Sequence, residues 1–112
     1  PTVPKDAVSS LGLHEQMFLL GVARRFKHSE AVQMSMGEAE ESYTVVCEEY
    51  GKRRLGHTQV WKFVKDLSAM GIVESRISSV GQRGKTTIIS LSKVPASHLE
   101  RELVKILSIK GK

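Results

Sequence analysis

Polar and basic side chains of the types that contact nucleic acids gather between residues 52 and 85. Thr58 and Gln59 carry hydrogen-bond donors and acceptors of the kind that contact base edges, whereas lysine and arginine neutralise phosphates. Their co-location, more than any one of them, indicates a surface for a duplex. The candidate contacts are Lys52, Arg53, Arg54, His57, Thr58, Gln59, Lys62, Lys65, Arg83 and Lys85.

Charge is distributed unevenly along the chain. The 112 residues carry a net charge of +5. Residues 37–50 hold five glutamates and no Lys or Arg, whereas residues 51–85 hold eight Lys or Arg side chains and two carboxylates. The basic surplus therefore coincides with the candidate contacts, which favours an anionic partner.

Each group of candidate contacts also has an alternative interpretation as solvated surface. Lysines on a helix, a glycine-rich turn and a short basic loop are common without any binding role. Trp61 falls at the border between the apolar and polar sides of its helix. Packing in the core explains that position better than contact with a partner.

The elements that must position these side chains follow from hydrophobic spacing. A first helix is predicted at 12–27 with apolar residues on both sides, which indicates a central, mostly buried helix. Residues 33–36 alternate in polarity and predict a small edge strand, after which Gly37 is expected to break the chain. Residues 38–50 predict an amphipathic second helix with its acidic face in water and Cys47 in the core.

The third helix carries most of the candidate contacts. It is predicted to start at His57 or Thr58 and to end at Gly71. At about 100° per residue, its apolar side chains cluster on one side and its polar and small side chains on the other. The core set is Val60, Phe63, Val64 and Leu67; the exposed set is Thr58, Lys62, Lys65 and Ala69, with Trp61 and Asp66 on the flanks and Gln59 near the helix start.

Two β-rich runs at 72–80 and 86–91 follow the third helix. A glycine-rich segment with Arg83 and Lys85 separates them, so they predict an antiparallel hairpin with a basic tip. A last helix is expected from Pro95. Its core-covering stripe would be Leu99, Leu103, Ile106 and Leu107. The order predicts an α+β winged helix-turn-helix, with a three-helix core, a two- to three-stranded antiparallel sheet and a C-terminal helix.

Length and hydropathy favour one domain at 11–109, with a linker at 1–10 and a short tail at 110–112. No run of about 18 apolar residues and no secretory leader occurs, so we expect no membrane contact and a cytoplasmic, chromosome-associated protein. The first residue is not Met. The chain is therefore expected to be a piece of a longer protein.

No catalytic or metal-binding constellation can be assembled from the sequence. The four histidines and Cys47 lack zinc-like spacing, and no nucleophile comes with a base and an orienting group. Residues 84–86 match the last three residues of the phosphate-binding loop motif, but Ser79 stands where that motif needs its first glycine. We therefore expect a non-enzymatic chain without a cofactor, monomeric as an isolated domain.

Several segments, taken in order, resemble one known family. They are LGLHEQMFLLGVARRF, SYTVVCEEYG, HTQVWKFVKDLSAMGIVESRISSVGQRGKTTIISL and the closing amphipathic helix, over about residues 10–107. The chain resembles the C-terminal winged-helix domain of archaeal replication initiators related to the eukaryotic origin recognition complex and its cell-division-control homologue. The most specific parts are residues 43–50, the helix-to-strand junction at 67–72 and the glycine-rich basic wing.

This resemblance implies an AAA+ ATPase module ahead of the domain, with the ATP site outside this chain, and other initiator domains or replication proteins as partners. It also implies binding to origin DNA, with the third helix in the major groove and the wing in the minor groove. Such initiators often carry arginines at the start of this helix, where the chain has Gln59 and Val60. Because of this difference, the strength of base contacts and the DNA sequence preferred are not implied by the resemblance. The implied contacts are Thr58, Gln59, Lys62 and Lys65 in the major groove and Arg83 and Lys85 on the wing.

Two other functions fit the same predicted fold. A winged helix used for protein contact would meet its partner through the acidic second helix or Trp61. A transcription regulator would be a dimer that persists at high salt. Binding to a duplex with a steep dependence on salt separates DNA binding from the protein-contact function.

Overall fold

Five helices and three strands make up the part of the chain that the structure describes. The computed structural model describes residues 5–29, 32–78, 86–91 and 95–110. The helices are α1 (Lys5–Ser9), α2 (Leu13–Lys27), α3 (Met36–Glu49), α4 (His57–Ala69) and α5 (Ala96–Lys110). The strands are β1 (Met34–Ser35), β2 (Val73–Ser78) and β3 (Thr86–Leu91). The predicted α+β winged-helix order is confirmed.

Helix α2 is the centre of the core, as its two apolar sides predict. Every residue from 16 to 23 is buried, and the helix packs against both α3 and α5. Helix α5 covers the other side with the predicted stripe, in which Leu99, Leu103 and Leu107 are buried and Ile106 is partly buried. Helix α2 therefore packs against α3 on one side and against α5 on the other.

The start of the chain differs from the linker expected at 1–10. Residues 5–9 form helix α1, and Val8 and Leu11 are buried. The buried Gln16 amide donates to the backbone oxygen of Val8 at 3.0 Å and of Ser9 at 3.4 Å. The Gln16 amide therefore supplies hydrogen-bond donors to backbone oxygens at the end of α1. These bonds hold a short segment without strong helical periodicity against the core.

Helix α3 begins earlier than the sequence predicted, and the prediction that Gly37 breaks the chain is wrong. Ser35 caps the helix: its hydroxyl accepts from the Glu38 backbone at 3.1 Å, while the Glu38 carboxylate accepts from the Ser35 backbone at 2.9 Å. This capping box satisfies backbone donors at the helix start. It therefore tolerates a glycine at the second helical position.

Helices α3 and α4 end in the same way. Gly51 and Gly71 have φ of 65° and 77°, and each is followed by a backbone bond that closes the last turn, from Lys52 to Cys47 at 2.8 Å and from Ile72 to Leu67 at 3.0 Å. Left-handed glycine just past a helix with this bond is the Schellman arrangement. It sets the direction of the chain into the loop before α4 and into β2.

The three strands form one antiparallel sheet in the order β1-β3-β2. Met34 and Ser75 pair with Ile89 from either side, and the hairpin register runs from Val73 opposite Leu91 to Ser78 opposite Thr86. The small edge strand and the hairpin are confirmed. The hairpin tip at 79–85, including Arg83 and Lys85, lies outside the described residues.

An aromatic cluster joins the three helices of the core. Phe18 on α2, Tyr43 on α3 and Phe63 on α4 lie with ring centroids 6.0–6.2 Å apart, in edge-to-face or tilted arrangements. Such pairs add to the free energy of burial. Close to this cluster α2 meets α3 at Gly21, where a Cβ atom would lie 2.8 Å from the backbone carbon of Ser42.

We expect Gly21→Ala to lower the free energy of unfolding by about 1–3 kcal/mol, because a methyl group would force α2 and α3 apart. Gly37→Ala is the control, since only the Ser35 hydroxyl lies near, at 3.9 Å. Alanine there should stabilise the helix by up to about 1 kcal/mol. Urea unfolding followed by circular dichroism measures both, and a similar change in the two variants would contradict the packing argument.

Candidate nucleic-acid interface

Helix α4 buries one side and exposes the other as the sequence predicts. Val60, Phe63, Val64 and Leu67 are buried. Trp61 is partly buried and packs against the core, in agreement with its predicted packing role. The exposed side chains are His57, Thr58, Gln59, Lys62, Lys65, Asp66 and Ala69. The candidate major-groove contacts of α4 therefore share one solvent-facing surface, which we call the α4 face.

Most cations away from α4 are paired with carboxylates. Arg24 pairs with Glu49 on α3, and Arg25 pairs with Glu38 at 3.4 Å. Lys27 pairs with Glu100 on α5 at 2.6 Å. These pairs bridge α2 to its two neighbours. Four of the five α3 glutamates, Glu38, Glu40, Glu41 and Glu49, are engaged in this way or with the loop before α4, so the acidic face expected in water is partly neutralised.

Arg53, Lys62 and Lys65 behave differently. All three are exposed, and no carboxylate of the described residues lies within ion-pair distance of them. Unpaired surface cations are the ones that can neutralise phosphates without first breaking an internal contact. Arg76 on β2 and Arg101 on α5 are also exposed without an ion pair among the described residues, but Arg53, Lys62 and Lys65 place three available positive charges on and beside the α4 face.

Arg54 is a candidate phosphate contact in the sequence, but in the structure it is partly buried and bonded to other residues of the domain. Its guanidinium donates to Thr44 Oγ1 at 2.8 Å and to Glu40 Oε1 at 2.9 Å. It also lies over the Tyr43 ring, 5.5 Å from the centroid. These bonds hold the loop between α3 and α4. Lys52, another loop candidate, is half-buried near His14.

His57 is exposed at the first position of α4 and is also held by α3. Its Nδ1 lies 2.5 Å from Glu40 Oε2, and its ring meets Trp61 edge to face at 6.3 Å. The two carboxylate oxygens of Glu40 thus contact Arg54 and His57. One side chain of α3 positions both the loop and the start of α4.

The hydroxyl of Tyr43 completes this support. It accepts a hydrogen bond from the Leu55 backbone at 2.9 Å and lies 2.8 Å from His14 Nδ1 on α2. Burial raises the pKa of Tyr43 to about 12. The phenol therefore stays protonated and can donate to the histidine. Burial also raises the pKa of the core thiol of Cys47, which disfavours the reactive thiolate.

Sequence reasoning missed the supporting role of Glu40 and the Tyr43 hydroxyl. The helical pattern at 38–50 predicts only an apolar stripe and an acidic face in water, to which Tyr43 and Glu40 respectively belong, and it gives neither residue a partner. Neither pairing leaves a local signal, because Glu40 is 14 residues from Arg54 and Tyr43 is 29 residues from His14. Among the described residues, no cluster of three potential metal ligands occurs and no helix has the length and apolar character needed to cross a membrane.

The helix-turn-helix of α3 and α4 and the β2–β3 hairpin define a winged-helix protein in which α4 exposes lysines that have no ion pair with the described residues. A family model described as "CDC6, C terminal winged helix domain" matches residues 6–101. The chain belongs to this family. It is thus a C-terminal winged-helix domain of the Cdc6 and ORC1 type of replication initiator, as the resemblance implied.

Individual relatives agree with this assignment. The ORC1-type DNA replication protein 2 of Saccharolobus solfataricus is 36% identical over 87 residues, which cover 78% of this chain and 21% of that protein. Cdc6p of Pyrobaculum aerophilum superposes with a TM-score of 0.88 and 38% identity over 99% of this chain and 27% of that one. The ORC1 protein of Aeropyrum pernix, solved in complex with DNA, has a TM-score of 0.77 and 28% identity over 90% of this chain and 26% of that one. The chain thus spans about a fifth to a quarter of these relatives.

We expect Tyr43→Phe to lower the free energy of unfolding by about 1–3 kcal/mol, because the Leu55 amide loses its partner in a part-buried site. Tyr50→Phe is the matched control: Tyr50 is half-buried, and its hydroxyl makes no hydrogen bond to the described residues. It should change stability by less than about 0.5 kcal/mol. Equal losses in chemical denaturation would show that the hydroxyl does not hold the loop.

The pH dependence of stability should report on His14. Burial and, to a lesser extent, the charge of Lys52 lower the pKa of His14 below its ordinary value of about 6.5. The unfolded chain therefore takes up the proton first, so this contribution to stability is complete above about pH 6.5 and is lost as pH falls through the lowered folded pKa.

His14→Asn removes the titrating group and keeps a side chain able to bond to Tyr43. Urea unfolding between pH 5 and 7.5 should show a smaller loss of stability on acidification in the variant than in the parent. Identical pH profiles would exclude His14 as the group responsible.

Proposed function

We propose that this domain binds double-stranded DNA at replication origins, with α4 in the major groove and the hairpin tip in the minor groove. The observation that carries the proposal is the unpaired state of Lys62 and Lys65 on the exposed side of α4, in a domain whose α2 cations are paired. The complex of the related A. pernix ORC1 protein with DNA supports it.

The proposed contacts fall into two kinds. Lys62, Lys65 and Arg53 neutralise phosphates, and Arg83 and Lys85 do so from the wing. Thr58 and Gln59 meet base edges near the start of α4. Arg54 and His57 are assigned mainly to holding α4 in place, since both are engaged with Glu40. Lys52 is a peripheral phosphate contact.

The whole protein is proposed to carry an AAA+ ATPase module ahead of this domain and to act on the chromosome with other initiator domains or replication proteins. We assign no catalytic residue and no cofactor to this chain, and we propose that it is monomeric in isolation. Protein contact is the second candidate function. Val45 and Glu48 on α3 favour it, because both are exposed and Glu48 has no ion pair with the described residues.

Fluorescence anisotropy on origin-region and scrambled duplexes tests DNA binding. About three to six phosphate contacts should give a log-log slope of affinity against salt of roughly −3 to −5. Lys62→Ala and Lys65→Ala should each weaken binding by a similar factor on every duplex and reduce the slope by about one. Gln59→Ala should instead change the ratio between sequences.

Lys105→Ala is the control, because Lys105 is an exposed lysine on α5 that lies 3.7 Å from Glu102. It should leave the affinity and the salt slope near those of the parent. Absence of duplex binding at low salt, or equal behaviour of the α4 variants and Lys105→Ala, would refute the assigned surface.

A further inference from the structure

Asp66 is an exposed carboxylate on an otherwise cationic surface. It lies one residue after Lys65 and one helical turn after Lys62 on α4, and none of these lysines is within ion-pair distance of it. A carboxylate at this place repels phosphates and so weakens general binding to DNA. A residue that opposes the general attraction can still contribute if it reads a base, since a carboxylate accepts from the amino group of cytosine in the major groove.

The helix places Asp66 where such a contact is geometrically consistent with Gln59. Residues 59, 62 and 66 follow one edge of α4 at spacings of three and four, the pattern by which recognition helices align several side chains with a groove. Seven residues advance about 10.5 Å along a helix. That rise matches about three base pairs at 3.4 Å each.

Glu15 on α2 is a neighbour of Asp66. Its carboxyl group lies close to the Asp66 carboxylate, and its Oε2 is buried without a hydrogen-bond partner in the described residues. Burial, followed by the nearby Asp66, raises the pKa of Glu15, against smaller opposite effects of the Gly12 backbone and Lys62. Because the two carboxyl groups are close, Glu15 is in a position to orient Asp66.

We propose that Asp66 is a second base-reading residue of α4, selective for a cytosine about three base pairs from the position read by Gln59, and that Glu15 is its positioning residue. This inference rests on the proposed binding of α4 in the major groove. It adds a determinant of sequence choice that neither Lys62 nor Lys65 supplies. It also makes the negatively charged side chain of Asp66 part of the proposed DNA-binding surface.

Selection of bound duplexes from a randomised pool, followed by sequencing, tests the proposal. The parent should enrich two positions about three base pairs apart, one with cytosine. Asp66→Ala should lose the cytosine preference and keep the other, while its affinity for unrelated duplexes rises several-fold because the repulsion is gone. Asp66→Asn should shift the preference to adenine, since an amide pairs with adenine. Glu48→Gln removes an equal charge from α3 and should leave the selected sequences unchanged.

Glu15 is tested by conservative rescue. Glu15→Gln places an amide donor of similar size beside Asp66 and should retain the cytosine preference, whereas Glu15→Ala should lose it, with thermal unfolding confirming that both variants are folded. An unchanged preference in Asp66→Ala would overturn the inference and leave the proposed DNA binding intact. A parent that binds duplexes without any sequence preference would overturn both the inference and the base reading proposed for Thr58 and Gln59. A parent that binds no duplex at low salt would instead refute the proposed function itself.

Discussion

The position of α4 depends on one buried tyrosine. The Tyr43 ring packs against Phe18 and Phe63, so that α2, α3 and α4 meet at a single side chain. Its hydroxyl holds the Leu55 amide, and its other face lies under Arg54. Because a protein interior is close-packed, none of the three helices can shift without disturbing the other two. The exposed side of α4 is therefore presented by a rigid support.

Electrostatic pairing divides the surface into two regions. Arg24 and Arg25 of α2 and Arg54 of the loop before α4 engage the glutamates of α3, and these contacts are partly exposed, so each contributes little to stability. Their larger effect is to determine which cations remain unpaired. Cations on α2 are bound internally, whereas Lys62, Lys65 and Arg53 retain charge that is available to an anionic partner. These three cations are the proposed phosphate contacts, and Asp66 is a carboxylate exposed beside them on α4.

Hydrophobic spacing anticipated most of the fold. The two apolar sides of α2, the single stripe of α4 and the alternation at 33–36 each report a burial pattern that the structure confirms. The failures have local causes. A glycine at 37 suggests a break, but a capping box one turn wide outweighs it. A linker is expected at 1–10, yet residues 5–9 form α1, Val8 is buried and its backbone oxygen accepts a hydrogen bond from the distant Gln16.

The sequence by itself determined which side chains of α4 face outward, because helical period and residue type are local properties of the chain. It also determined the family through the order of its segments. Only the tertiary structure decided which charges remain available, since Arg54 and Glu40 are distant in sequence and their pairing depends on how α3 and the loop pack. Whether an arginine holds the fold or faces a partner is a property of its neighbours in space, and a linear charge count does not contain that information.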